Sequence, residues 1–122
     1  MSKLLLQILI IITLLGCAAP TFRQGVDAYE KRDYRTALKA FEPLAKQNNP
    51  IAQNYLGAMY YNGTNVTPKD YDMSARLFRV AADNGSAEAQ YNLARLYQVG
   101  HGVNKDPVES LNLLNKSAKQ GY

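Results

Sequence analysis

Two side chains of this 122-residue chain could do chemistry on their own, Cys17 and His101, and each is the sole residue of its type. A thiolate or an imidazole can hold a metal or open a nucleophilic mechanism. Either task needs company. Zinc sites take several Cys or His ligands, and these two lie far apart in sequence. One cysteine leaves no internal disulfide. Catalysis wants a nucleophile, a base and an orienting group, and the stretch around His101, Gly100-His101-Gly102-Val103, suggests no partner for it. Gly100-x-Gly102 also lacks the strand that precedes a phosphate-binding glycine loop. The Lys-Asp pairs at 69–70 and 105–106 invite an acid–base reading. Each Asp, however, stands where a helix should begin, so the pairs read as loop and cap. The expectation is no catalytic residue, no metal and no cofactor.

The run ahead of Cys17 gives that residue a different task. Lys3 is an early positive charge, and Leu4 to Leu15 is apolar except for Gln7 and Thr13. A bilayer-spanning helix needs about 20 apolar residues. This run is shorter and suits the core of a secretory signal peptide. Leu14-Leu15-Gly16-Cys17 resembles the lipobox of bacterial lipoproteins, with Leu15 bulkier than the usual occupant of its place. The resemblance implies cleavage before Cys17 and lipid attachment at its sulfur and new N-terminus. Several acyl chains anchor a protein stably on a bilayer. Ala18 stands where an Asp would favour the inner membrane, which implies the outer membrane, with the body facing the periplasm.

Composition describes the rest. The chain is 47% hydrophobic and 20% charged, and its net charge is +4. Signs alternate, as in Glu30-Lys31-Arg32-Asp33, whereas nucleic-acid binders gather Lys and Arg on one face. Nucleic acid is not an expected partner.

The body repeats itself. AQNYLGAMYYNG (52–63) and AQYNLARLYQVG (89–100) coincide in Ala, Gln, Leu, Tyr and Gly. DYDMSARLFRVAADNG (70–85) faces DPVESLNLLNKSAKQG (106–121), and DYRTALKAFEPLAKQN (33–48) is a divergent third copy. A period near 36 residues marks stacked helical hairpins. Ala52, Tyr55, Leu56, Met59 and Tyr60 form one helical face, and Ala89, Leu93, Leu96 and Tyr97 repeat it. In the second helices the expected core stripes are Tyr34, Leu38, Phe41 and Ala45; Tyr71, Ala75, Phe78 and Ala82; and Leu111, Leu114 and Ala118. Asp70 and Asp106 are expected N-caps, with Pro107 at the first helical position and Glu109 placed for a capping box. Gly85 and Gly121 fit the helix ends.

The pattern A-x-x-x-L-G-x-x-Y, then G-x-G-V-x-x-D, then A-A-x-x-G resembles the Sel-one-like repeat, an αα-hairpin relative of the tetratricopeptide repeat. Gly100-His101-Gly102-Val103-Asn104-Lys105-Asp106 copies its loop closely. Gly63-Thr64-Asn65-Val66-Thr67-Pro68-Lys69-Asp70 departs from it, with Asn65 for the second glycine and one residue inserted; Asn tolerates positive φ. Ala94 takes a glycine position. The expected fold is all-α, a short right-handed solenoid of about three αα-hairpins after a cleaved leader. Its parts are 1–16 as signal peptide, 17–21 as lipidated Cys and linker, 22–50 as a divergent hairpin, and 51–86 and 87–122 as repeats.

The resemblance implies an interaction scaffold whose concave face is lined by first helices. Asn54, Ala58, Tyr61, Tyr91, Arg95 and Gln98 are the positions expected to be exposed there and to meet a protein partner, and Cys17 is the expected tether to the bilayer. Self-association is a further option. The paired cysteines of the penicillin-linked, cell-wall branch of the family are missing, so an enzyme of that class is disfavoured. Glycan or exported-polysaccharide binding through tyrosines is an alternative. Sequons at Asn62, Asn65, Asn84 and Asn115 would suit a eukaryotic secretory adaptor, but the lipobox points to bacteria.

Overall fold

The computed structural model describes residues 2–7 and 18–122. The expectations attached to the lipobox and to Cys17 fall outside the described residues. Residues 3–7 are helical, and no described helix is long and apolar enough to cross a membrane.

From Thr21 onward the chain is a row of helices: α1 (Phe22–Glu30), α2 (Tyr34–Lys46), α3 (Pro50–Asn62), α4 (Tyr71–Asp83), α5 (Ala87–Val99) and α6 (Pro107–Lys119). They pair as α1–α2, α3–α4 and α5–α6, and each pair packs on the next through α2–α3 and α4–α5. The result is an all-α stack of three hairpins with no strand among the described residues.

Each helix starts on a side chain that accepts from first-turn amides. Thr21 and Gln24 form a reciprocal capping box. Asp70 Oδ1 accepts from the Met73 N–H at 2.9 Å, and Asp106 Oδ1 from Val108 and Glu109. Glu109 does not close a box with Asp106. Its carboxylate turns to Arg79, 3.5 Å away on α4. Such caps contribute about 1 kcal/mol each.

The ends of the second helices also repeat. Gly85 and Gly121 have φ of 89° and 85°. The matching place in the first hairpin is Asn48, and α1 ends on Arg32; both have φ of 61°. An L-residue there carries about 1–2 kcal/mol of strain. Arg32→Gly is therefore expected to raise stability by about 0.5 kcal/mol after glycine's extra unfolded-state entropy is subtracted. A higher urea midpoint is the readout, and an unchanged or lower one would deny the strain.

Two buried clusters hold the stack. One gathers Ala28, Ala37, Ala40, Phe41, Ala52, Leu56 and Met59. Around it an aromatic group forms: Phe41 stacks on Tyr55 at 4.7 Å, and Tyr29 meets Tyr55 edge-on at 5.0 Å. Burial pushes the phenols of Tyr29 and Tyr55 upward, so both are neutral near pH 7. The other cluster joins Ala75, Phe78 and Ala82 of α4 to Ala89, Leu93, Ala94 and Leu96 of α5.

Buried serines pin the hairpins. Ser74 Oγ donates to the Gly57 carbonyl at 2.8 Å, and Ser110 Oγ to that of Ala94 at 2.9 Å. Gly57 is required because a Cβ there would lie 2.6 Å from the Phe78 ring. Ala94 occupies the matching place fully buried. Its opposite number is Leu114 rather than Phe78, and a branched aliphatic leaves room for a methyl group.

Two further expectations need correction. In α6 the buried residues are Ser110, Leu113 and Ser117. Leu111 is 57% exposed, Ala118 is exposed and Leu114 half-buried. The register is the same as in α4. The difference is that Ala75, Phe78 and Ala82 have α5 across from them, whereas no described helix covers that side of α6. The other concerns Asn65, which does not adopt positive φ. The inserted residue is absorbed by a Thr64–Thr67 pair instead. Their hydroxyls meet at 2.8 Å, and buried Thr67 also donates to the Met59 carbonyl at 3.2 Å.

Candidate functional site

First helices of successive hairpins, α3 and α5, touch each other. Asn92 Nδ2 donates to Asn54 Oδ1 at 3.0 Å across that seam. Beyond it a cleft of about 180 Å³ opens, lined by Ala58, Tyr61, Asn62, Phe78, Asn92, Arg95 and Leu96. Phe78 and Leu96 are buried and give it an apolar base. Tyr61, Asn62, Asn92 and Arg95 supply polar groups around that base.

The expected contact residues divide in three. Ala58, Tyr61 and Arg95 come together in the cleft. Tyr91 and Gln98 are exposed on the same face of α5 as Arg95 but do not line the cleft; Tyr91 tilts against Tyr122 at 5.6 Å. Asn54 is not exposed. It is 5% accessible because Asn92 covers it, so its place as a contact residue is withdrawn. The partner of that bond lies in the next repeat, and no helical period reveals it.

His101 is the residue that sequence reasoning set aside. Its ring stacks on Tyr71 at 4.1 Å with a 6° interplanar angle. Its Nδ1 lies 3.1 Å from Tyr61 Oη. The loop after α5 thus reaches back one hairpin and fixes a tyrosine of the cleft. Forty residues separate the two, and only the offset of one repeat hinted that they meet. Gly102 makes this reach possible, since a Cβ on it would stand 2.1 Å from the Tyr71 carbonyl oxygen.

Arg95 is exposed and forms no ion pair among the described residues. Arg79 contrasts with it, held by Glu109 and lying over the Tyr97 ring, 5.4 Å from its centroid. Arg95 offers a planar fork of N–H donors that matches a carboxylate. Next to an apolar base it can receive an acidic or amide side chain beside an apolar one. No cluster of His, Cys, Asp or Glu able to hold a metal occurs among the described residues.

A family model for the Sel1 repeat matches residues 50–86 and 87–122. An uncharacterized protein of Neisseria meningitidis serogroup B is 36% identical over 94 residues, 77% of this chain and 20% of that protein. Among solved structures, a Sel1 repeat protein from Oxalobacter formigenes superposes with a TM-score of 0.75 at 32% identity, over 80% of this chain and 40% of that one. The protective antigen c5321 of uropathogenic Escherichia coli, of the same repeat fold, gives 0.73 at 34% identity, over 82% of this chain and 22% of the other. The chain therefore spans well under half the length of these relatives. With two matched units, the loop glycines and the stacked hairpins in agreement, this chain belongs to the Sel1 repeat family.

Proposed function

We propose that the protein is a lipid-anchored scaffold of the bacterial envelope, whose stacked Sel1 hairpins hold a protein partner on the face formed by α3 and α5. The carrying observation is the cleft between those helices, where Arg95, without an ion pair among the described residues, and a fixed tyrosine stand over buried Phe78 and Leu96. Arg and Tyr are enriched among residues that dominate binding energy. Repeat solenoids use extended concave surfaces in this way. The membrane part of the reading is supported by Leu14-Leu15-Gly16-Cys17 and by the few residues between Cys17 and the cap Thr21, which would keep the body near the bilayer. Ala18 favours the outer membrane.

Metabolic labelling with an alkynyl fatty acid tests the anchor. The wild-type chain should carry label and sediment with membranes, and Cys17→Ser should lose the label and remain at precursor size. Equal labelling and equal migration of the two would overturn the anchor. Glycan binding has less in its favour. Five of the nine tyrosines are spent on packing: Tyr29, Tyr34 and Tyr55 in the aromatic group, Tyr71 under His101 and Tyr97 against Arg79.

A further inference from the structure

We propose that the face of α3 and α5 takes an extended segment of its protein partner, in which a basic and an acidic residue stand three apart. This rests on the scaffold reading of that face and adds what the segment must carry. The starting point is charge. α3 has no charged residue, and α5 has only Glu88 and Arg95. Both are exposed, and neither forms an ion pair among the described residues. Glu88 does not cap its own helix, because Ser86 Oγ accepts from the first-turn N–H of Ala89 at 3.1 Å. Seven residues apart, the two charges share one stripe of α5 and lie about 10 Å from each other along its axis. Asn92 stands between them on that stripe and bonds Asn54, so the stripe is turned toward α3. The Tyr29 and Tyr55 phenols agree. Burial is the first cause of their raised pKa, and the Glu88 carboxylate adds to both. Glu30, at the end of α1, acts on Tyr55 in the same sense. The face therefore has an acidic end among tyrosines and a basic end at the cleft, with uncharged residues between.

The occupant follows from these two ends. A Lys or Arg side chain fits the Glu88 end, where tyrosine rings also attract a cation. An Asp or Glu side chain fits the fork of Arg95. Spacing then sets the conformation. In a polyproline II segment residues i and i+3 lie on one edge, about 9 Å apart, which matches the separation of Glu88 and Arg95. Same-side steps along a β-strand are about 7 and 13 Å, one too short and the other too long. Asn92 selects against a helix. It uses an amide hydrogen on Asn54, and its Oδ1 takes no bond among the described residues. An extended backbone brings a free N–H to that oxygen, whereas the N–H groups of a helix interior are already bonded. An apolar residue next to the acidic one then reaches Phe78 and Leu96 at the base of the cleft.

Selection from a random-peptide display library on the full chain in mild detergent tests this. The wild-type chain should enrich sequences with Lys or Arg three residues from Asp or Glu. Glu88→Gln should lose the preference for the basic residue and keep that for the acidic one, and Arg95→Gln should do the reverse. A labelled peptide from the wild-type pool should bind each variant about two- to fivefold more weakly by fluorescence anisotropy, as expected for exposed pairs. Arg76→Gln, at an exposed site of α4 outside this face, should bind it as the wild type does. All three side chains are exposed, so the variants keep the helical circular-dichroism signal. A pool without the paired charges, a pool that either variant leaves unchanged, or no enriched pool at all overturns the proposal. So does an affinity that Arg76→Gln lowers equally. The scaffold reading is decided separately, because capture of a discrete partner from position 95 requires no extended segment.

Discussion

Gly102→Ala is expected to destabilise the protein by about 3–4 kcal/mol, the sum of a left-handed residue and an overpacked contact. Gly102 has φ of 70°, and the added Cβ would meet the Tyr71 carbonyl oxygen at 2.1 Å and Ala75 Cβ at 3.0 Å. Backbone at the start of α4 cannot yield as a side chain does. The loop must lift instead, and His101 then leaves both Tyr71 and Tyr61. Gly85→Ala is the internal control. Its φ of 89° carries the same backbone strain, but nothing lies within 4 Å of the added atom. That variant should lose only about 1 kcal/mol. Urea unfolding of the two variants separates the effects. Equal losses would mean that the close approach of the loop to α4 contributes nothing.

Phe41→Ala comes next, with an expected loss of about 3–5 kcal/mol, as for a large aromatic removed from a closed site. Phe41 is fully buried, stacks on Tyr55 and tilts against Phe22 at 6.0 Å. Gly25 is bare because a Cβ there would stand 2.6 Å from Ala40 Cβ and 2.9 Å from the Phe41 ring. The side chain thus joins α1, α2 and α3. Stability in such stacks is a sum of nearest-neighbour terms, so the damage should be local. Amide exchange should quicken in α1 and α2 while α5 and α6 keep their protection. Uniform quickening along the whole chain would show instead that the three hairpins unfold as one unit.

Much of this architecture was legible because the repeat states it twice. The stripes of α3, α4 and α5 came from a 3.6-residue period, and the caps at Asp70 and Asp106 from the residue type before each stripe. Where reading failed, the cause lay beyond one hairpin. Leu111 carries the apolar pattern of a buried residue but has no described neighbour to bury it. Asn54 has the pattern of a surface residue but meets Asn92. Asn65 was expected to copy a glycine's backbone, and a threonine pair made that unnecessary. His101 and Tyr61 belong to different repeats, so no local signal joins them. Ser74 and Ser110 could have been found, since the same small polar residue recurs at an offset of 36 on an otherwise apolar face.

The candidate face was less legible than the fold. Pattern placed Ala58, Tyr61 and Arg95 on first helices, but the cleft needs Phe78 from a second helix and Asn92 from the seam. Arg95 and Arg79 look alike in sequence. Only the ion pair from Arg79 of α4 to Glu109 of α6 shows that one is occupied, whereas Arg95 has no ion pair among the described residues.

The most direct test of that role is photo-crosslinking in cells from a probe placed at Arg95, with a probe at exposed Arg76 of α4 as the comparison and mass spectrometry of what each captures. A partner-binding cleft between α3 and α5 should give one discrete protein from position 95 and not from position 76. No capture at position 95, or the same products from both positions, would contradict the cleft as a binding site and with it the scaffold reading built on it.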